Sequence, residues 1–295
     1  MKKLRKYLTK FGKDKMIAGD YGFYDKRMYA YLITCAFRVI LRVGAQCGMT
    51  DRQLQHIACI AEDTAYAWYD FQGDIVQFFG SNPSGHPLTV IINCIVNSLY
   101  MRYCYHELNP QKEVVTFKKN VALITYGDDN AQGVSDHAPW FNHTAIQRVL
   151  AEIDVVYTMA DKEAESIPYI HIDEVSFLKR MWVKDPESGI WLAPLEWDSI
   201  NKMLTMCVAS DSVDLKEQAA SMVRNCALEM FHHGKESFRV NIAKLKRIIH
   251  KSGLDDWVDK GAIVTWDDYI LYHKQSSESK TLIQDVNLEN EVMLH

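Results

Sequence analysis

The chain lacks CxxC cysteine pairs, a membrane-length apolar run, a strong excess of one charge and any internal repeat. Each absence removes a class of explanation. The seven cysteines, Cys35, Cys47, Cys59, Cys94, Cys104, Cys207 and Cys226, are odd in number, scattered and without metal-ligand spacing. They read as reduced, buried thiols of a cytosolic compartment rather than a disulfide framework. The longest apolar run, PLTVIINCIVNSLYMRYCY at 87–105, is broken by Asn93, Asn97 and Arg102, which suits a buried helix and not a transmembrane segment. A formal net charge of −5 argues against a freestanding nucleic-acid binder. Residues 1–15 carry seven basic residues against Asp14, yet no apolar stretch follows, so they do not form a secretory leader.

What is present is an ordinary folding composition. The 295 residues are 48% hydrophobic and 24% charged, enough for a real core in one large domain or two. Residues 16–28 read as a short strand and a polar turn leading into a helix, and 29–41 continue at helical apolar spacing. Thr50 and Gln53 form a capping-box pattern opening a helix over about 51–70. DIVQFFG (74–80) reads as a strand, SNPSGHP (81–87) as an irregular loop, and a long helix covers about 88–108. A hairpin spans 121–134, Asn142 is an N-cap for a helix over 143–156, and 158–166 read as loop. Residues 169–183 and 190–195 alternate as strands around the turn DPESG. Segments 196–209, 213–232 and 235–252 are helical in pattern, and the polar end from 276 reads as poorly ordered.

The chemistry concentrates in a few places. VALITYGDDNAQGV (121–134) puts Asp128 and Asp129 side by side at the tip of a hairpin. Alone, such a tip is more often a solvated turn, by about ten to one, since Asp and Gly are common turn residues. In DYGFYD, Asp20 closes a strand and Asp25 stands where a helix starts, an acid also explained by the helix dipole. Thr89 and Asn93 share one face of an otherwise aliphatic helix, behind Ser84 and Gly85. Both are poor interior helix formers, so a polar task and a bonded buried amide are equally good readings. Together the features weigh differently. Asp20, Asp128 and Asp129 at the ends of strands of one sheet are electrostatically untenable without cations, and oxygen-seeking Mg²⁺ is the natural answer. Two such ions activate a 3′-hydroxyl and stabilise a departing pyrophosphate.

In order, DYGFYD, PSGHPLTVIIN, YGDDN, ADK and FLKR resemble the five palm motifs of the RNA-dependent RNA polymerases of picorna-like positive-strand RNA viruses. The resemblance is firm over 16–210 and loose beyond. It implies an α+β fold: a right-hand palm with an antiparallel, ferredoxin-like sheet over 1–195, including part of the fingers. A helical thumb over 196–275 and a polar tail over 276–295 would follow. It makes Asp20, Asp128 and Asp129 metal ligands for Mg²⁺, with Mn²⁺ as a substitute, and Lys162 the general acid for pyrophosphate. Asp25, Ser84, Gly85, Thr89 and Asn93 would bind the nucleotide ribose, where an Asp and an Asn can hold a 2′-hydroxyl. Lys179 and Arg180 would meet RNA phosphates near the primer end. Partners would be RNA template and primer, NTPs and other viral replication proteins, in replication complexes of the host cytoplasm.

Two departures matter. Ser81 stands where relatives of vertebrate hosts carry the glycine of G-x-P-S-G, with Gly80 one residue early. The chain also begins only nineteen residues before Asp20, leaving no room for most of the fingers. A fragment is therefore expected, which need not be active alone. Gln275–Ser276 has the form of a polyprotein cleavage site, though an ordinary Gln-Ser pair is the simpler reading. The rivals are a reverse transcriptase, disfavoured by Asp25 with Asn93, and a non-catalytic RNA-binding or scaffold palm.

Overall fold

The computed structural model describes residues 1–82, 84–161, 164–208, 210–258 and 265–285, with side chains through Gln275. It has the mixed helix and antiparallel sheet expected. Contacts divide the chain into two compact units, Lys2–Leu178 and a second from Lys179 onward.

In the first unit, helix α1 (Lys2–Leu8) and a 3-10 turn (Thr9–Phe11) precede strand β1 (Met16–Tyr21). Helices α2 (Ala30–Gln46) and α3 (Asp51–Ala65) follow. Both halves of the Thr50–Gln53 capping box are made. Strands β2 (Trp68–Phe71) and β3 (Asp74–Gln77) then form a separate hairpin. Helix α4 (Thr89–Leu108), the short α5 (Phe117–Asn120), and strands β4 (Val121–Tyr126) and β5 (Asp129–Val134) come next. Helix α6 (His143–Ala151) and strand β6 (Tyr157–Met159) complete the list. The sheet order is β4-β5-β1-β6, antiparallel throughout. One face packs on α4 and α6 through Ile17, Tyr21, Ile92, Val96, Met101, Ile146 and Tyr157. Burying side chains of this size stabilises by about 1.5–3 kcal/mol each.

Among its described residues the second unit holds the strand pair β7 (Val183–Lys184) and β8 (Trp191–Leu192) and four helices. These are α7 (Trp197–Thr205), α8 (Leu215–Phe231), α9 (Lys235–Lys251) and α10 (Trp266–Asp285). Its core centres on Phe231, whose ring lies 4.5 Å from Trp266 and 5.0 Å from Tyr269.

Several local expectations are corrected. The helix from Asp51 stops at Ala65, because Gln72 (φ 56°) and Gly73 (φ 96°) form a two-residue turn that folds 68–71 back onto 74–77. Positive φ at both central positions is the turn that matches strand twist. Residues 157–159 are an edge strand and not loop, and α6 ends at Ala151 rather than 156. The stretch 169–183 is not a strand. It makes isolated bridges at Ile170 and Arg180, with a 3-10 turn at Ile172–Glu174 between them, capped reciprocally by His171 and Glu174, and enters strand β7 at Val183. Of 190–195 only Trp191–Leu192 is strand. Helix α10 runs through Ser276 to Asp285, so the polar stretch does not begin as a tail. Residues 286–295 lie outside the described residues.

Candidate active site

The Tyr-Gly-Asp-Asp hairpin is built by its glycine. Tyr126 pairs with Asp129, leaving Gly127 and Asp128 as a two-residue loop, and Gly127 adopts φ 63°. Glycine in the first central position is what such a turn demands. Asp128 is consequently the exposed tip residue, and Asp129 begins β5 half-buried. On the neighbouring strand Gly19 faces Asn130, so the next rung sets Asp20 beside Asp129. Side chains on facing rungs share a sheet face. Asp20 faces Thr158 of β6 on its other side. The three acids therefore come together at one end of one sheet.

The approach of β1 to its neighbours depends on Gly19. A Cβ there would stand 2.1 Å from the Tyr157 ring. The Tyr157 hydroxyl donates to Asn130 Oδ1 at 2.8 Å and its ring stacks on the buried His143 at 5.0 Å. Burial pushes the Tyr21, Tyr24 and Tyr157 phenols up, so all three remain protonated donors.

Three of the residues expected at the ribose, Asp25, Thr89 and Asn93, meet around one that sequence reasoning passed over, Asn82. It is fully buried. Its backbone N–H donates to the Asp25 carbonyl at 2.8 Å, and Nδ2 donates to Asn93 Oδ1 at 2.6 Å and to the Thr89 carbonyl at 3.4 Å. The Tyr24 hydroxyl donates to the Asn93 carbonyl at 2.9 Å. Thr89 Oγ1 donates to the His86 carbonyl at 2.8 Å. Asp25 does not open a helix. It lies in the turn after β1, five residues before α2, whose first turn carries no acid, which removes the dipole explanation. Ser84 and Gly85 are exposed on the loop before α4. Ser81 takes the left-handed φ of 69°, the conformation that a glycine at this position adopts without strain.

Lys162 lies outside the described residues. Leu178 and Lys179 both have positive φ (55° and 56°), so FLKR is a tight turn. Lys179 is exposed. Arg180 is engaged: its guanidinium makes a bidentate pair with Glu229, 2.7 Å on each arm, and donates to the Ala193 carbonyl at 3.0 Å.

Carboxylates on adjoining rungs and at the turn tip have the hard oxygen donors that suit Mg²⁺. Among the described residues no three His, Cys, Asp or Glu side chains are closed into a ready metal cage. The fit is therefore one of donor type and placement. Asn97, noted in the sequence only as an interruption of an apolar run, touches the hairpin carbonyls; its four-residue spacing from Asn93 was the signal.

Comparison with known proteins identifies the family. Residues 1–249 match the family described as viral RNA-dependent RNA polymerase. The replicase polyprotein of Cricket paralysis virus is 29% identical over 295 residues, covering 96% of this chain and 16% of that polyprotein. That of Drosophila C virus is 30% identical over 235 residues, 76% of this chain and 13% of that one. The RNA1 polyprotein of Tomato black ring virus is 37% identical over 185 residues, 61% of this chain and 8% of that polyprotein. The chain thus spans a sixth or less of the length of these relatives. With five motifs in order and a family match over most of its length, this chain belongs to the viral RNA-dependent RNA polymerases of picorna-like viruses.

Proposed function

We propose that the chain supplies the palm and thumb of a polymerase for template-directed RNA synthesis, joining nucleoside monophosphates from NTPs to an RNA 3′ end. The observation that carries this is the placement of Asp20 beside Asp129 at the sheet end whose hairpin tip is Asp128. Asp20, Asp128 and Asp129 would hold two Mg²⁺ ions, or Mn²⁺ in their place. Bound there, the ions lower the pKa of the attacking hydroxyl and neutralise the leaving pyrophosphate. Around them Asn82 fixes the Asn93 carboxamide, with Asp25, Thr89, Ser84 and Gly85 lining the ribose side. Lys162 would protonate the pyrophosphate. Lys179 is the phosphate-contacting residue of the FLKR turn, since Arg180 is committed to Glu229.

The test is Mg²⁺- or Mn²⁺-dependent extension of a primer on an RNA template. It is run with this chain alone and with the preceding polyprotein segment supplied, each against Asp128→Ala. Extension abolished by that substitution supports the reading. Absence of extension in both formats would favour a non-catalytic RNA-binding palm, and preference for dNTPs would indicate a reverse transcriptase. The replication complexes of the host cytoplasm are the proposed location, checked by fractionating infected cells; recovery away from viral RNA would oppose it. No helix among the described residues is long and apolar enough to cross a membrane. Incubation with the cognate viral protease tests Gln275–Ser276; an uncut chain would remove that site, which sits within α10.

A further inference from the structure

Helix α4 presents Thr89, Asn93, Asn97 and Met101 at four-residue intervals, one stripe along one face. Asn97 is fully buried at 0% exposure. Its Nδ2 donates to the carbonyls of Gly127, Asp128 and Asp129 at 3.2, 2.7 and 3.3 Å. Its Oδ1 accepts from the Tyr21 hydroxyl at 3.1 Å. The orientation of this amide is not arbitrary: three carbonyls can only accept, so the nitrogen must face them. Tyr21 directly follows Asp20 on β1, while the three carbonyls belong to the turn that carries Asp128 and Asp129. A second tie comes from one turn earlier on the same helix, where the Gly127 N–H donates to Cys94 Sγ at 3.1 Å.

We propose that Asn97, oriented by Tyr21, is a positioning residue that fixes the Asp128–Asp129 turn relative to Asp20 and so sets the affinity for divalent cations. Packing alone does not require it. Asp128 is exposed, although Gly127 beside it is buried, and water reaching the tip would satisfy the Asp128 carbonyl if the amide were absent. What water cannot do is hold the carbonyls of three consecutive residues at one point fixed to a helix. The Tyr21 hydroxyl plays a separate part. Without it, Oδ1 is left unpaired and the amide loses its reason to keep Nδ2 on the turn.

This inference rests on the metal reading proposed above, and the experiment separates the two. Mn²⁺ binding to the full chain is followed by electron paramagnetic resonance for the wild type, Asp128→Ala, Tyr21→Phe and Asn97→Ala. Amide exchange of the 121–134 segment is measured on the same samples by mass spectrometry. Tyr21→Phe removes one oxygen and keeps the ring, so it stays folded even if Asn97→Ala does not. The expected result is Mn²⁺ affinity weakened about tenfold, the scale of outer-shell partners of metal ligands. Faster exchange at 126–130 and an unchanged circular dichroism spectrum should accompany it. A role in folding alone would lower the melting temperature and leave Mn²⁺ affinity intact well below it. Wild-type affinity and wild-type exchange in folded Tyr21→Phe would overturn the proposal. Mn²⁺ binding indifferent to Asp128→Ala would sink the metal reading and the affinity claim with it. Exchange at the turn would then report whether the clamp itself exists.

Discussion

On one face of the central sheet, Met16, Ala18 and Asp20 of β1 run beside Gly133, Ala131 and Asp129 of β5. At the Met16 end the face is covered by the N-terminal segment, with Leu8 fully buried. There the covering backbone comes so close that a Cβ on Gly133 would stand 2.0 Å from the Leu8 carbonyl oxygen. At the other end, four residues and about 13 Å away at strand rise, Asp20 and Asp129 are half-buried and Asp128 is exposed. The same strands on the same face thus serve as core at one end and as acidic surface at the other. What differs is the cover, and that decides which residues can be charged.

Breaking the open end should separate activity from stability most sharply. Asp128→Ala is expected to reduce primer extension by more than about a hundredfold, beyond the loss typical of outer-shell partners. It should leave unfolding free energy within about 0.5 kcal/mol, as for exposed surface positions. An equal loss in both would refute the division of labour. The covered end should behave in the opposite way. Leu8→Ala removes a fully buried side chain and is expected to destabilise by about 2–5 kcal/mol. Gly133→Ala drives a methyl into backbone and is expected to cost about 1–3 kcal/mol. Chemical denaturation measures both. A Gly133→Ala protein as stable as the wild type would mean that α1 does not lie over the sheet.

A smaller effect compares the two units. Burial lowers the pKa of His143 in the first, and lowers His232 in the second from the ordinary 6.5 to about 4. Both are neutral in the fold, so their contribution is full above the unfolded value of about 6.5. It is lost as pH falls, because the unfolded chain takes up the proton first. For His232 the loss runs from about pH 6.5 to about 4. His143→Phe should flatten the acid limb of the first unit only. Thermal melts between pH 7.5 and 4.5 check this; an unchanged acid limb would exclude His143. The smallest effect is expected at Ser81, held at φ 69°. Ser81→Gly relieves that strain but adds freedom to the unfolded chain, so the net gain should be at most about 1 kcal/mol. A loss beyond that would assign the serine side chain a structural role.

Much of the site was legible because short-range rules dictate it. Gly127 before two aspartates, between apolar strands, can only be a tight hairpin with acids at its tip. Thr50 with Gln53, and Asn142 before His143, announce helix starts because capping needs only neighbouring atoms. The errors share one cause. Trp68–Phe71 continue a helical apolar pattern, but pairing with Asp74–Gln77 outweighs it. Residues 169–183 alternate like a strand but pair at isolated positions, Ile170 with Met16 and Arg180 with Leu195, before a two-residue strand begins at Val183. Asn97 left only its four-residue spacing from Asn93 as a sign, and Asn82 left none, since a buried amide's importance lies in whose carbonyls it meets.

The sequence by itself determined the family, the order of the motifs and the turn that displays Asp128, because each depends on residues adjacent in the chain. Only the tertiary structure decided that Asp20 stands beside Asp129, that Arg180 is spent on Glu229, and that Asn97 fastens the hairpin to α4. Those facts join residues from tens to more than a hundred positions apart. Sheet register and side-chain reach, which set them, are properties of packing and leave no local mark.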